Sequence, residues 1–98
     1  SIAKVMEGPA ARDYYSAASY YYAEKKDMKK ALEWINTSIE KGYERYWVLR
    51  TKSLIQAELG DKKGAIETAT KSLEMATKDE DTAYIKMNEA SIAEWKKM

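Results

Sequence analysis

The side chains that could do chemistry in this chain are carboxylates, lysines, arginines and tyrosines, because it contains no histidine and no cysteine. Histidine is the commonest general base near neutral pH, and cysteine supplies thiolate nucleophiles and zinc ligands. Without them the usual catalytic triads, zinc sites and disulfide frameworks are excluded. We therefore expect a protein that is not an enzyme and that holds no cofactor and no metal.

Two clusters of charge remain as candidate sites. The acidic run Asp79-Glu80-Asp81 could form a calcium loop, but an EF-hand needs alternating oxygen ligands, a central glycine and a distal glutamate, which this segment lacks. The lysine pairs Lys25-Lys26 and Lys29-Lys30 are preceded by Glu24 and separated by Asp27, and the net charge of the chain is only +1. We expect the first cluster to start a helix and the second to form a solvated turn, with no nucleic-acid partner.

Aromatic residues are the more informative group, since the chain has eight tyrosines and three tryptophans, 11% of its residues. Positions 14, 15, 18, 21 and 22 share one face of a predicted helix, which leaves Tyr20 on another face. Aromatic side chains lose little conformational entropy on binding, so this pattern favours a binding surface. The alternative is a structural one, because large aromatic residues in a small domain also form its core.

The elements that position these residues are predicted to be helices. One proline and four single glycines are too few for the frequent turns of an all-β chain. Asp27 and Asp61 can cap helices, and Gly42 and Gly60 can end them in the left-handed conformation. No apolar run approaches the length of a membrane span, so no membrane insertion is expected. Five helices are predicted, over about residues 9–25, 28–41, 46–59, 62–78 and 81–97.

Segments 12–45 and 46–79 are related by a displacement of 34 residues. The second helices of both segments carry the same apolar stripe at spacings of three and four. Nine positions are identical without gaps: Ser19/Ser53, Ala23/Ala57, Glu24/Glu58, Asp27/Asp61, Lys29/Lys63, Ala31/Ala65, Glu33/Glu67, Ser38/Ser72 and Glu40/Glu74. We interpret the two segments as an internal repeat.

A 34-residue helix-turn-helix repeat with Ala31-Leu32 and Ala65-Ile66 near the start of its second helices resembles the tetratricopeptide repeat family. The resemblance implies an all-α, right-handed array of antiparallel helical hairpins, an α-solenoid. Lys52 and Gln56 occupy positions that the family usually buries, which leaves the register of their helix open by about one residue. One domain is expected over residues 1–98, with repeat 1 at about 12–45, repeat 2 at about 46–79 and a capping helix at about 81–97.

A narrower resemblance is carried by the strings at 31–35, 46–50, 84–89 and 92–95. They are similar to the helical C-terminal tail of an exported bacterial family of unknown function whose N-terminal domain is rich in β-structure. That resemblance implies a piece of a longer periplasmic or surface protein, in which a preceding domain is a candidate partner. The start at Ser1 and the lack of a targeting segment agree with this expectation.

In tetratricopeptide arrays the first helices of successive repeats line a concave groove, which the resemblance places here on one face of the chain. Arg50 would grip a carboxylate through two parallel hydrogen bonds, and Asn88 would bond a peptide main chain. The alternative is that Trp47 and Tyr84 pack between helices. The predicted peptide-binding residues are Tyr20, Trp47, Arg50, Leu54, Tyr84 and Asn88.

The sequence thus predicts a non-catalytic module that binds a peptide segment, another protein or a neighbouring domain. The alternative function is a structural spacer or an oligomerisation tail, which includes a homodimer. Trp34 lies beside the apolar stripe of its helix, and we expect residues 1–8 to cover it, with a preceding domain or a second copy of the chain as the alternatives.

Overall fold

A computed structural model describes residues 10–97 of the chain, and every regular element in that range is a helix. The five helices are α1 (Ala11–Ala23), α2 (Met28–Glu40), α3 (Tyr46–Glu58), α4 (Lys62–Lys78) and α5 (Thr82–Lys97). The predicted all-α class and the number of helices are confirmed. The predicted start of the first helix at residue 9, and the proposed cover of Trp34 by residues 1–8, lie outside the described residues.

Three aspartates set the starts of helices. Asp27 accepts a hydrogen bond from the Lys30 amide at 3.1 Å, and Asp61 accepts one from the Gly64 amide at 2.9 Å. Asp81 does the same for the amide of Tyr84 at 3.2 Å. Each carboxylate satisfies an amide that has no partner within its helix, and its negative charge lies at the positive end of the helix dipole.

The ends of the first four helices share one hydrogen bond, in which an amide just past the helix donates to the carbonyl five residues earlier. This closure needs one residue in the left-handed conformation. Gly42 and Gly60 supply it at α2 and α3, with φ of 105° and 89°. Lys25 and Glu80 supply it at α1 and α4 with φ of 54° and 57°, although neither is glycine. The sequence therefore identified only two of the four closures.

Helices that follow each other in the chain pack against each other as antiparallel neighbours, and α1 also touches α3. The apolar core lies where α1, α2 and α3 meet. Its fully buried members are Ala18, Ala31, Ile35, Val48 and Ile55. Small alanines let the helix backbones approach closely, and each buried isoleucine contributes about 2–3 kcal/mol. No helix within residues 10–97 is long and apolar enough to cross a membrane.

The two hairpins, α1–α2 and α3–α4, are closed by the same contact. Ser38 of α2 donates to the carbonyl of Ala11 at 2.6 Å, and Ser72 of α4 donates to the carbonyl of Tyr46 at 2.7 Å. The serines are 34 residues apart, but the residues that accept their bonds, which begin α1 and α3, are 35 apart. The second helices therefore follow the 34-residue displacement, and the first helices are offset by one further residue.

Candidate functional site

The structure brings together only some of the six residues that the sequence predicted to bind a peptide. Trp47, Arg50 and Leu54 lie along α3 and are half-buried, as is Tyr84 on α5. Arg50 donates a hydrogen bond to Asn88 and interacts electrostatically with Tyr84. The side chain of Tyr20, by contrast, is 56% exposed on another part of α1. The candidate site therefore centres on Arg50 and does not include Tyr20.

Arg50 is held by neutral acceptors. Its Nη1 donates to Oδ1 of Asn88 at 3.1 Å and to Oγ of Ser91 at 3.2 Å. The ion pairs formed within residues 10–97 all involve lysines, so no carboxylate of that range lies within 4.0 Å of the Arg50 guanidinium. Burial lowers the pKa of Arg50, while the nearby hydroxyls of Tyr84 and Tyr22 oppose that shift. The result is a fixed positive charge without an internal counterion in the described part of the chain.

Asn88 was predicted to bond a peptide main chain, but the structure places it inside the protein. It is fully buried, with 0% of its surface exposed, so it cannot reach a peptide main chain in this arrangement. Its Nδ2 donates to Oγ of Ser72 at 2.9 Å, and its Oδ1 accepts from Arg50. Both ends of the amide are therefore used inside the protein, where a buried polar group needs such partners.

Trp47 belongs to a ladder of edge-to-face aromatic rings that crosses the starts of the helices. Its indole packs on Tyr43 and Tyr46, with ring centroids 6.5 and 5.1 Å apart, and borders the apolar core. The indole N–H donates to the Tyr43 hydroxyl at 3.2 Å, which lowers the pKa of Tyr43. Of the two alternatives for Trp47, these contacts favour a packing role between helices.

The ladder continues to α5 through Tyr46 and Tyr84, whose ring centroids are 5.1 Å apart. The Tyr46 hydroxyl donates to Oδ2 of Asp81 at 2.7 Å, a bond that raises the pKa of Tyr46 to about 12. Burial raises the pKa of Tyr84, and the nearby hydroxyl of Tyr15 adds to that rise while Arg50 opposes it. Tyr84 therefore lies between the ladder and the guanidinium.

Two tyrosines of α1 interact electrostatically with the Arg50 and Tyr84 pair, Tyr22 with Arg50 and Tyr15 with Tyr84, and the sequence reasoning missed both as site residues. A shift of one residue corresponds to a rotation of about 100° around a helix. The extra offset of α1 therefore places Tyr15 and Tyr22 on the side that was predicted to carry Tyr20. Together they define the Arg50 surface: Tyr15, Tyr22, Arg50, Leu54 and Tyr84. The sequence held one signal of this offset: Lys52 and Gln56 are polar but were aligned with positions that tetratricopeptide repeats usually bury.

Tyr20 lies instead beside Tyr21, with ring centroids 6.3 Å apart, and Tyr21 meets Trp34 edge to face at 4.8 Å. The Lys26 ammonium lies 5.8 Å from the Tyr20 ring, and that of Lys30 lies 5.9 Å from the Trp34 ring. Trp34 is therefore covered in part by its own chain, through Tyr21. Both ammonium groups thus lie close to aromatic rings, and such exposed cation–π pairs are weakly stabilising.

A shallow depression lies where α4 meets the first half of α3, beside Ile39 of α2. Glu44 and Lys71 lie in its wall and pair with each other at 2.8 Å, and Lys52 and Glu67 line it as well. Its charges thus balance within the protein. No group of three or more metal-binding side chains occurs among residues 10–97.

Comparisons with protein-family models, with curated proteins and with solved structures found no significant match.

Proposed function

We propose that this chain is a non-catalytic protein-interaction module that binds a peptide segment or a neighbouring domain through the Arg50 surface. The observation that carries the proposal is the half-buried guanidinium of Arg50, which is held by two neutral acceptors, Asn88 and Ser91, and interacts electrostatically with Tyr84 of α5 and Tyr22 of α1. Arginine and tyrosine are among the residue types that contribute most to the binding energy of protein interfaces. A cation that has lost part of its water gains most from a partner of opposite charge.

We also propose that the two hairpins are tetratricopeptide-like repeats and that α5 caps them. The proposal is supported by the matched serine bonds of Ser38 and Ser72 and by the equal, complete burial of Ala31 and Ala65. Three fully buried residues also lie 35 positions apart at the middle of the first helices and of α5, namely Ala18, Ser53 and Asn88. In such an array α1, α3 and α5 form one layer, and the Arg50 surface lies on residues of that layer.

A peptide array of defined acidic, neutral and basic sequences tests the binding function. We expect acidic peptides to be retained by the wild-type chain and to lose about tenfold or more in affinity for the Arg50→Glu variant, because a charge-assisted hydrogen bond contributes about 1.5–3 kcal/mol. Arg45→Glu is the matched control, since Arg45 is exposed at the start of the same helix. Equal losses in both variants, or retention of no peptide by the wild type, would refute the proposed surface.

A structural spacer or oligomerisation tail is the second candidate function. The exposed ring of Tyr20 favours it, because a large aromatic side chain that is more than half exposed can pack against a second chain. Light scattering over a concentration series separates the two functions. A stable dimer in which Tyr20→Ser restores the monomer would favour the spacer, and a monomer at all concentrations would leave the Arg50 surface as the interaction site.

A further inference from the structure

A chain of hydrogen bonds leads from the backbone of α3 to Arg50 through two buried side chains. Oγ of Ser72 donates its only proton to the carbonyl of Tyr46 at 2.7 Å. That oxygen can then act only as an acceptor toward Asn88, whose Nδ2 donates to it at 2.9 Å. The amide of Asn88 is therefore fixed with its oxygen toward Arg50, 3.1 Å from Nη1.

This arrangement positions the guanidinium without neutralising it. A buried arginine is usually paired with a carboxylate, because an unpaired buried charge is costly. Here the position next to Arg50 that a carboxylate could occupy holds the isosteric amide of Asn88, which is 0% exposed. Ser91, the other acceptor, is also neutral. Both hydrogen bonds that Arg50 makes within residues 10–97 come from Nη1, so Nε and Nη2 keep their donors for another partner.

The geometry points to Asn88, oriented by Ser72, as the residue that makes the Arg50 surface selective for ligands with a carboxylate. The inference rests on the proposed function, because it assigns the ligand charge to that same surface. An aspartate at position 88 would place an internal counterion within hydrogen-bond distance of Arg50 and would compete with the carboxylate of a ligand. Asn88 acts through Arg50, so it is a positioning residue that does not touch the ligand itself.

Three small probes separate the sources of the carboxylate. N-acetyltyrosine carries a terminal carboxylate, N-acetylglutamic acid α-amide carries a side-chain carboxylate, and N-acetyltyrosinamide carries none. Shifts of the Arg50 side-chain N–H resonances in NMR titrations report binding at the guanidinium. For the wild-type chain we expect at least one carboxylate probe to bind about tenfold more tightly than N-acetyltyrosinamide, which corresponds to about 1.4 kcal/mol.

Asn88→Asp is the decisive variant, and Asn36→Asp is its matched control because it adds the same charge on α2, which contributes no residue to the Arg50 surface. We expect Asn88→Asp to lose the preference for carboxylate probes and Asn36→Asp to keep it. Circular dichroism and thermal unfolding verify that each variant is folded. If Asn88→Asp does not fold, Ser72→Ala provides the second test, because it frees the Asn88 amide to rotate and should reduce the preference.

Three outcomes would overturn the inference. They are an unchanged preference in Asn88→Asp, equal binding of charged and uncharged probes by the wild type, and no shift at Arg50 with any probe. Equal binding that still shifts Arg50 would leave the proposed binding surface intact and remove only its charge selectivity. Loss of acidic-peptide binding in Arg45→Glu as strongly as in Arg50→Glu would instead remove the proposed function itself.

Discussion

The apolar centre of the molecule and the polar contact between α4, α5 and Arg50 are built in different ways. The centre joins α1, α2 and α3 through fully buried aliphatic side chains, among them Ile35 and Ile55. The fully buried residues of α4 and α5 are alanines together with Ser72 and Asn88. A hydrophobic contact is non-directional, whereas a hydrogen-bonded network fixes the orientation of its members. The comparison indicates that the centre supplies stability and that the polar contact fixes the position of Arg50.

The largest expected effect comes from the apolar centre. Ile35 is 0% exposed, and Ile35→Ala should lower the free energy of unfolding by about 2–5 kcal/mol, since it removes buried apolar surface and leaves a cavity. Urea denaturation measures this change. A loss below about 1 kcal/mol would contradict the assignment of this region as the main source of stability.

The next largest loss of stability is expected from variants of Ser38 and Ser72, the two serines that close the hairpins. Ser38→Ala removes one hydrogen bond, to Ala11, whereas Ser72→Ala removes one to Tyr46 and also leaves Asn88 Nδ2 without its acceptor. We expect losses of about 1 kcal/mol for Ser38→Ala and about 1–3 kcal/mol for Ser72→Ala, because an unsatisfied buried donor adds its desolvation penalty. Urea denaturation of both variants provides the ranking. Equal losses would mean that the polar contact does not depend on Ser72.

A smaller effect is expected where helices end in the left-handed conformation. Glu80→Gly should stabilise the chain by up to about 1 kcal/mol, because glycine relieves the steric penalty at φ 57°. Gly60→Ala is the matched control at φ 89°, and it should destabilise the chain. Thermal unfolding measures both. A destabilised Glu80→Gly variant would show that the Glu80 side chain makes a contribution larger than its strain.

The smallest effect concerns stability at alkaline pH, and it depends on the hydrogen bond between Tyr46 and Asp81. The hydrogen bond to Asp81 raises the pKa of Tyr46 to about 12, above its usual 10.0, so the folded state keeps this proton to higher pH than the unfolded state. The stabilisation is present below about pH 10 and is lost as the pH rises toward 12. Tyr46→Phe should reduce the fall in stability over this range. An unchanged pH profile of urea denaturation would contradict the assignment.

Local chemistry made much of this fold predictable from the sequence. Asp27, Asp61, Gly42 and Gly60 have side chains or conformational freedom suited to helix ends. Four of the five helices, α2 to α5, were placed within one residue at both ends. The one-residue offset of α1 was not predictable in the same way, because its end depends on Lys25 in a conformation that lysine rarely adopts. That offset is why Tyr20 was chosen for the site in place of Tyr15 and Tyr22.

The burial of Asn88 could not be read from the sequence for a different reason. Asparagine is usually exposed, and alignment with the groove positions of tetratricopeptide repeats had placed Asn88 on the binding face. Its burial depends on Ser72 and Arg50, which approach it only once α4 and α5 have packed. Contacts between residues distant in sequence thus decided the site, while contacts within a few residues decided the helices.

The proposed function requires that ligands bind at the Arg50 surface. Chemical-shift mapping of backbone amides tests this requirement directly, with the tightest acidic peptide from the array as the ligand. We expect the perturbed amides to cluster on α1, α3 and α5 around Tyr15, Tyr22, Arg50 and Tyr84. Perturbations that cluster on α2 and α4, with the amides around Arg50 unchanged, would contradict it.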